Sequence, residues 1–172
     1  MLARLFSRDI WPLAAMMISA AMLLAAHAFE TFGRLYPCPL CLRQREIYWA
    51  ALGIGLVGFV WRRYWPSTRA PLVQCLLLGA TFLTGVFVAG FHAGVEWGIF
   101  TSDCTAASFD VGRFDPSALE RPMATGACDK APFVILGLSM AGWNAVILLG
   151  LSCASFFAAS GAIHRRSSSA EI

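Results

Sequence analysis

Four stretches of the chain carry no Asp, Glu, Lys or Arg: residues 10–29, 47–61, 70–95 and 131–163. A helix that crosses a bilayer needs roughly 20 apolar residues, and three of the four stretches reach that length unaided. The second is shorter. Trp49, Trp61, Tyr64 and Trp65 supply the aromatic side chains that settle at membrane interfaces, and the run can extend back toward Cys41. The pattern predicts an all-α membrane protein: a four-transmembrane-helix bundle forming a single membrane domain over residues 1–172. Spans are expected near 10–29, 44–61, 71–93 and 133–158, with outer loops at 30–43 and 94–132.

The first run also has features of a secretory signal, with Arg4 and Arg8 ahead of it and Ala26-His27-Ala28 at its end. It is longer than the roughly 7–15 apolar residues of a signal core, so a retained span is expected. In either case the following loop emerges on the far side. Composition agrees with the membrane reading: 58% hydrophobic residues against 13% charged exclude an ordinary soluble domain.

Short loops rich in Lys and Arg stay cytoplasmic, which sets the orientation. Arg4, Arg8, Arg62, Arg63, Arg69, Arg165 and Arg166 fall at the two ends and in the middle loop, with only Asp9 and Glu171 beside them. The other two loops hold Glu30, Glu46, Glu96, Asp103, Asp110, Asp115, Glu120 and Asp129 against Arg34, Arg43, Arg45, Arg113, Arg121 and Lys130. Both termini are therefore expected inside. The formal net charge of +3 follows from this topology and gives no support to nucleic-acid binding.

Candidate chemistry lies in the cysteines. Cys38-Pro39-Leu40-Cys41 places two thiols at the mouth of the second span, and such pairs commonly have a lowered thiol pKa. With prolines at 37 and 39, the helix is expected to begin around Cys41, whose sulfur would then meet the helix dipole and be the thiolate. Cys104 and Cys128 lie in the second outer loop, so all four face a compartment where disulfides persist. Cys75 and Cys153 sit inside apolar runs and read as small buried hydrophobes.

Zinc ribbons pair two Cys-x-x-Cys knuckles, whereas Cys104 and Cys128 are far apart in sequence, so no metal is expected. Covalent haem attachment needs His at position 42, which is Leu. His27 and His92 could in principle hold a haem, but intramembrane histidines read more simply as packed or hydrogen-bonded residues. The loop from about 96 to 130 is long enough to move. Within it Asp115-Pro116 offers a start for a short surface helix, with an irregular loop as the alternative.

Taken together, these residues give a family resemblance. Four spans, Cys38-Pro39-Leu40-Cys41 in the first outer loop, Arg45 four residues after Cys41, a second pair at Cys104 and Cys128, and the stretch from Cys128-Asp129-Lys130-Ala131-Pro132-Phe133 into Gly137-Leu138-Ser139-Met140-Ala141-Gly142-Trp143-Asn144 resemble the DsbB family. Gln44 stands where many members have an acid. The resemblance implies an enzyme of the bacterial inner membrane, a quinone-dependent protein-disulfide oxidoreductase with its redox cysteines facing the periplasm. Its partners would be a periplasmic thioredoxin-like dithiol oxidase of DsbA type and the membrane quinone pool, ubiquinone or menaquinone. Cys104 and Cys128 would form the disulfide the partner attacks, and Cys128 would then attack Cys38, leaving Cys41 facing the quinone.

The same resemblance assigns Arg45, His92 and Met140 to the quinone. Arg45 follows Cys41 by one helical turn, and its permanent charge suits a thiolate and a developing quinone anion. His92 offers a hydrogen bond to a quinone carbonyl, with Glu96 one turn on as its pairing partner, and Trp143 joins Met140 as a candidate lining residue. Two other readings are weighed. A vitamin K epoxide reductase-like thiol oxidase would place its Cys-x-x-Cys near the last core helix, whereas here it precedes the second. A four-span scaffold with static disulfides would give no reason for a Cys-x-x-Cys beside Arg45.

Overall fold

The computed structural model describes residues 6–65, 69–102, 104 and 127–161. Four helices run through it: α1 (Trp11–Thr31), α2 (Pro39–Tyr64), α3 (Ala70–Glu96) and α4 (Met140–Ser160). α1, α3 and α4 are each long and apolar enough to cross a membrane. α2 is long enough but carries Arg43, Arg45 and Glu46 near its start and Arg62 and Arg63 near its end.

α2 starts earlier than the prolines suggested. Pro39 occupies the first helical position, where a missing N–H costs nothing because that donor has no helical acceptor, and its fixed φ suits the turn. Cys38 is thereby the N-cap. α4, in contrast, starts later than expected. Residues 133–139, expected to open the last span, instead hold a two-stranded hairpin in which β1 (Val134–Ile135) pairs antiparallel with β2 (Leu138–Ser139). Its two-residue turn has φ of 52° at Leu136 and 81° at Gly137, the double positive φ of a type I′ turn. Trp143 Nε1 donates to the Ile135 carbonyl at 2.9 Å and ties the hairpin to α4, whose own N-cap, Ser139, accepts from Gly142 N. The expected surface helix at Asp115–Glu120 lies outside the described residues.

Sequential helices pack on one another, most extensively α3 with α4. Small residues set the approach: a Cβ on Gly79 would come within 2.9 Å of the Phe156 ring, and one on Gly85 within 2.9 Å of Ile47 and 3.0 Å of Leu148. Close backbone contact of this kind substitutes for the hydrophobic drive that lipid does not provide. Ser152 Oγ donates to the Gly79 carbonyl across the same seam at 3.0 Å. Leu78, Phe82 and Leu148 fill the centre, while Trp49, Trp61, Tyr64 and Trp65 stay exposed, as interfacial aromatics should.

The two ends of the bundle differ in chemistry. At one end, Arg8 Nη2 donates to the Ala159 carbonyl at 2.6 Å, a cation at a helix C-terminus, and Arg62 pairs with Asp9 at 2.9 Å. Cys38, Cys41, Cys104 and Cys128 gather at the other.

Candidate functional site

Capping chemistry positions the first pair. As N-cap, Cys38 directs its sulfur back at the first turn of α2, where Sγ accepts the Cys41 backbone N–H at 3.2 Å. The two sulfurs are 2.9 Å apart and not bonded. Cys38 is buried, whereas Cys41 is partly exposed. A helix beginning at Cys41 would make Cys41 the thiolate; with α2 starting at Pro39, Cys38 takes that place as the N-cap. The hydrogen bond from the Cys41 thiol, aided by His92 and the Cys41 N–H and opposed by burial, pulls the Cys38 thiol down to about 4. Facing that sulfur, and partly buried, the Cys41 thiol is pushed up.

Cys104 and Cys128 are joined by a disulfide with an S–S distance of 2.01 Å. Cys38, Val95 and Cys128 form one buried cluster, with Leu40, Cys41 and Cys104 packed against it. The loop pair and the helix pair therefore share a single interior patch, although the sequence sets them more than sixty residues apart.

A polar chain backs this patch. Tyr48 Oη donates to Asn144 Oδ1 at 2.5 Å, Asn144 Nδ2 donates to Gln44 Oε1 at 2.5 Å, and Gln44 Nε2 donates to His92 Nδ1 at 2.8 Å. With Nδ1 accepting, the ring proton sits on Nε2, which lies 3.6 Å from Cys38 Sγ and 3.8 Å from Glu96 Oε1. The chain joins α2, α3 and α4, and buried polar groups linked in this way hold their side chains in fixed orientations. The whole arrangement suits thiol–disulfide exchange, which needs an attacking thiolate beside a disulfide and a leaving thiol that is readily charged.

The DsbB family model, described as disulfide bond formation protein DsbB, matches residues 7–158. The chain belongs to the DsbB family. A disulfide bond formation protein B of Dechloromonas aromatica is 33% identical over 138 residues, covering 72% of this chain and 75% of that protein. That of Methylococcus capsulatus is 31% identical over 144 residues, 79% of this chain and 84% of the relative. A third, from Saccharophagus degradans, is 32% identical over 138 residues, 76% and 80% respectively. Membership of the DsbB family makes the chain a disulfide bond formation protein, with a disulfide oxidoreductase role.

Placed on the DsbB-family reading, the four loop cysteines and His92 come together at one end of the bundle. Glu96 pairs with His92, as expected. Arg45 does not face the sulfurs in this arrangement: its Nη1 donates to Glu30 Oε2 at 2.6 Å and its Nη2 to the Ala26 carbonyl at 3.3 Å, both on α1. A helical turn of separation puts Arg45 on the Cys41 side of α2, but the long side chain reaches the neighbouring helix. Met140 opens α4, partly buried, one turn before Asn144. His27 turns to Glu30 at 4.0 Å and not to the His92 site. Cys75 is fully buried, as expected; Cys153 is exposed on the outer surface of α4, which corrects its reading as a buried packing residue. Tyr48 went unread as a site residue, and Gln44 was noted only for standing where many family members have an acid. Their spacing of four places them on one helical face, but only the partner helices give that face its meaning.

Proposed function

We propose that the protein reoxidises a periplasmic thioredoxin-like dithiol oxidase of DsbA type and passes the electrons to a membrane quinone. The observation that carries this reading is the common buried cluster of the Cys104–Cys128 disulfide and the Cys38, Cys41 dithiol. A static scaffold has no use for a capped, low-pKa thiol packed against a disulfide. On this reading the chain spans the inner membrane four times, with α2 as the least apolar span, both termini in the cytoplasm and the cysteine end at the periplasm. The arginines at the opposite end of the bundle support that orientation.

The relay proceeds by bond exchange. A thiolate of the reduced partner attacks Cys104, forming a mixed disulfide and releasing Cys128 as a thiolate. Cys128 attacks Cys38 of the oxidised Cys38–Cys41 bond, and Cys41 leaves. The partner's second thiol displaces Cys104, and Cys104 attacks Cys128, restoring the Cys104–Cys128 bond and releasing Cys38. The net result is an oxidised partner and a reduced Cys38, Cys41 pair. Re-forming the Cys38–Cys41 bond then gives up two electrons and two protons, which a quinone takes as it becomes quinol.

The residues present fit a quinone. A shallow, open depression of about 390 Å³ between α2 and α3 is lined by Leu40, Arg43, Glu46, Ile47, Phe87, Val88 and Phe91, and by none of Arg45, His92 and Met140. It is apolar, as an isoprenoid ring-and-tail ligand requires, and it begins at the residue preceding Cys41. His92, Met140 and Arg45 are the proposed headgroup neighbours, with Arg45 reaching it only on leaving Glu30. The test uses protein purified in mild detergent with bound quinone extracted and identified. Adding reduced partner should convert that quinone to quinol, and a Cys41→Ala variant should accumulate a Cys38–Cys128 bond. Full turnover by a Cys104→Ser variant would refute the two-pair relay.

A further inference from the structure

One carboxyl group at the cysteine end pairs with His92 but takes no part in the relay. The Glu96 side chain is 4% exposed, its Oε1 lies 3.8 Å from His92 Nε2, and its Oε2 is buried with no hydrogen-bond partner among the described residues. The nearby arginines of α2 are engaged elsewhere, Arg43 with Glu46 and Arg45 with Glu30. Leaving a buried carboxyl oxygen unsatisfied costs free energy, so the pocket favours a cation that would bind it. The sulfurs of Cys38 and Cys41 and a ring nitrogen of His92 lie within 4.8 Å of one another, and Glu96 adjoins this group through His92.

We infer that Cys38, Cys41, His92 and Glu96 form a redox-gated binding site for a zinc-class divalent ion, open to metal only when the Cys38–Cys41 pair is reduced. Two thiolates, one imidazole and one carboxylate are the donor types of tetrahedral zinc, with bonds of about 2.3 Å to sulfur and about 2.0–2.2 Å to nitrogen and oxygen. Tetrahedral bonds of those lengths separate sulfur from nitrogen by roughly 3.5 Å, and Cys38 Sγ already stands 3.6 Å from His92 Nε2. Glu96 Oε1 stands 3.8 Å from His92 Nε2 but outside the group formed by the two sulfurs and the imidazole, so its side chain must swing toward the sulfurs to fill the fourth position. The sulfurs, 2.9 Å apart, must open to roughly 3.8 Å, which a rotation of the partly exposed Cys41 side chain provides.

The buried amide chain supplies the remaining requirement. A zinc-bound Nε2 must carry no proton, and the proton then sits on Nδ1 and needs an acceptor. Gln44 and Asn144 can both turn their amides over, so that His92 Nδ1 donates to Gln44 Oε1, Gln44 Nε2 to Asn144 Oδ1, and Asn144 Nδ2 to Tyr48 Oη. Every bond of the chain survives with its sense reversed. As the metal binds, two Zn–S bonds form and any protons remaining on the thiols pass to solvent. When the pair is oxidised both sulfurs are committed to the disulfide and the metal has lost half its ligands. Spacing along the chain argued against zinc among the four loop cysteines; this ligand set uses only two of them and draws the rest from α3.

The test adds cobalt(II), a spectroscopic stand-in for zinc, to the full-length protein in detergent after reduction with a phosphine that does not bind metal. One equivalent should bind with thiolate charge-transfer and tetrahedral ligand-field bands, be displaced by zinc, and be absent after oxidation of the pair. Cys38→Ser and Cys41→Ser should each lower the thiolate signal and together abolish it, and Glu96→Gln and His92→Gln should each weaken zinc at least tenfold. A Cys104→Ser, Cys128→Ser double variant should bind normally. Loss of binding in that double variant, undiminished affinity in Glu96→Gln, or equal binding by oxidised protein would overturn the site. Because binding is read directly, these results are independent of the quinone proposal; if both hold, zinc should arrest quinone reduction and a chelator should restore it.

Discussion

Two glutamines are buried in this bundle, and the same substitution should affect them very differently. Gln44 accepts from Asn144 Nδ2 and donates to His92 Nδ1. Gln44→Met keeps a long unbranched side chain but strands one donor and one acceptor in the interior. At about 1–3 kcal/mol for each orphaned buried group, less the gain from burying the thioether, the net cost is about 2–4 kcal/mol. Gln74 Nε2 reaches the Gly55 carbonyl at 3.1 Å and the Ile54 carbonyl at 3.4 Å, oxygens in the interior of α2 that are also helix acceptors, while its Oε1 has no partner among the described residues. Gln74→Met strands nothing and removes an unsatisfied oxygen, so its cost should fall below about 1 kcal/mol. Thermal unfolding of both variants in one detergent, followed by helix signal, should show a large fall for Gln44→Met and little for Gln74→Met. Adding Asn144→Leu to Gln44→Met should cost less than the two single effects combined, because both ends of a lost bond are then removed. Equal destabilisation by the two methionines would refute the account of the polar chain as an interdependent unit.

Arg45→Ala should raise the KM for quinone about tenfold while mixed-disulfide formation with the partner is unchanged, and Arg45→Lys should fall between, keeping charge but losing the planar fork; slowed mixed-disulfide formation with normal quinone reduction would move Arg45 to the docking surface. Impermeant thiol reagents applied to intact spheroplasts after reduction should label Cys38, Cys41, Cys104 and Cys128, and labelling only after membrane permeabilisation would invert the proposed orientation. With the other four cysteines replaced and a chelator present, thiolate absorbance should report one thiolate persisting through neutral pH and disappearing as pH falls through about 4. That is the direction for a depressed acid, and Cys41→Ala should shift the midpoint upward; a titration confined to the ordinary thiol range would rule out the capping account.

The three helices apolar enough to cross a membrane were legible because lipid imposes a long uncharged run, and the helix pair of cysteines because their spacing places both at one helix start. The start of α2 was not, since a proline reads alike as a helix stop and as a first-turn residue until the chain before it is placed. The hairpin at 134–139 was hidden for a different reason. Val134, Ile135 and Leu138 are as apolar as the helix that follows, and Leu136-Gly137 lacks the Asn or Asp that usually signals its turn. At the site, Gln44 lies 48 residues from His92 and 100 from Asn144, so no local pattern could join them. Arg45 was placed by helical periodicity, which fixes a face but not where a long side chain ends.

The clasp between the first and last helices has a consequence for synthesis. Trp11 Nε1 donates to Ser155 Oγ and Arg8 to the carbonyl of Ala159, 151 residues away. A chain emerging N-terminus first must therefore insert α1 and keep it unfastened until almost the final helix has been delivered. Until then Arg8 has no carbonyl to bind and the Trp11 indole no hydroxyl, so the first helix remains free to tilt or drift in the lipid. The bundle closes only when its last turn arrives, and a nascent chain cut short within α4 would leave its first helix as the mark by which an unfinished molecule can be told from a finished one.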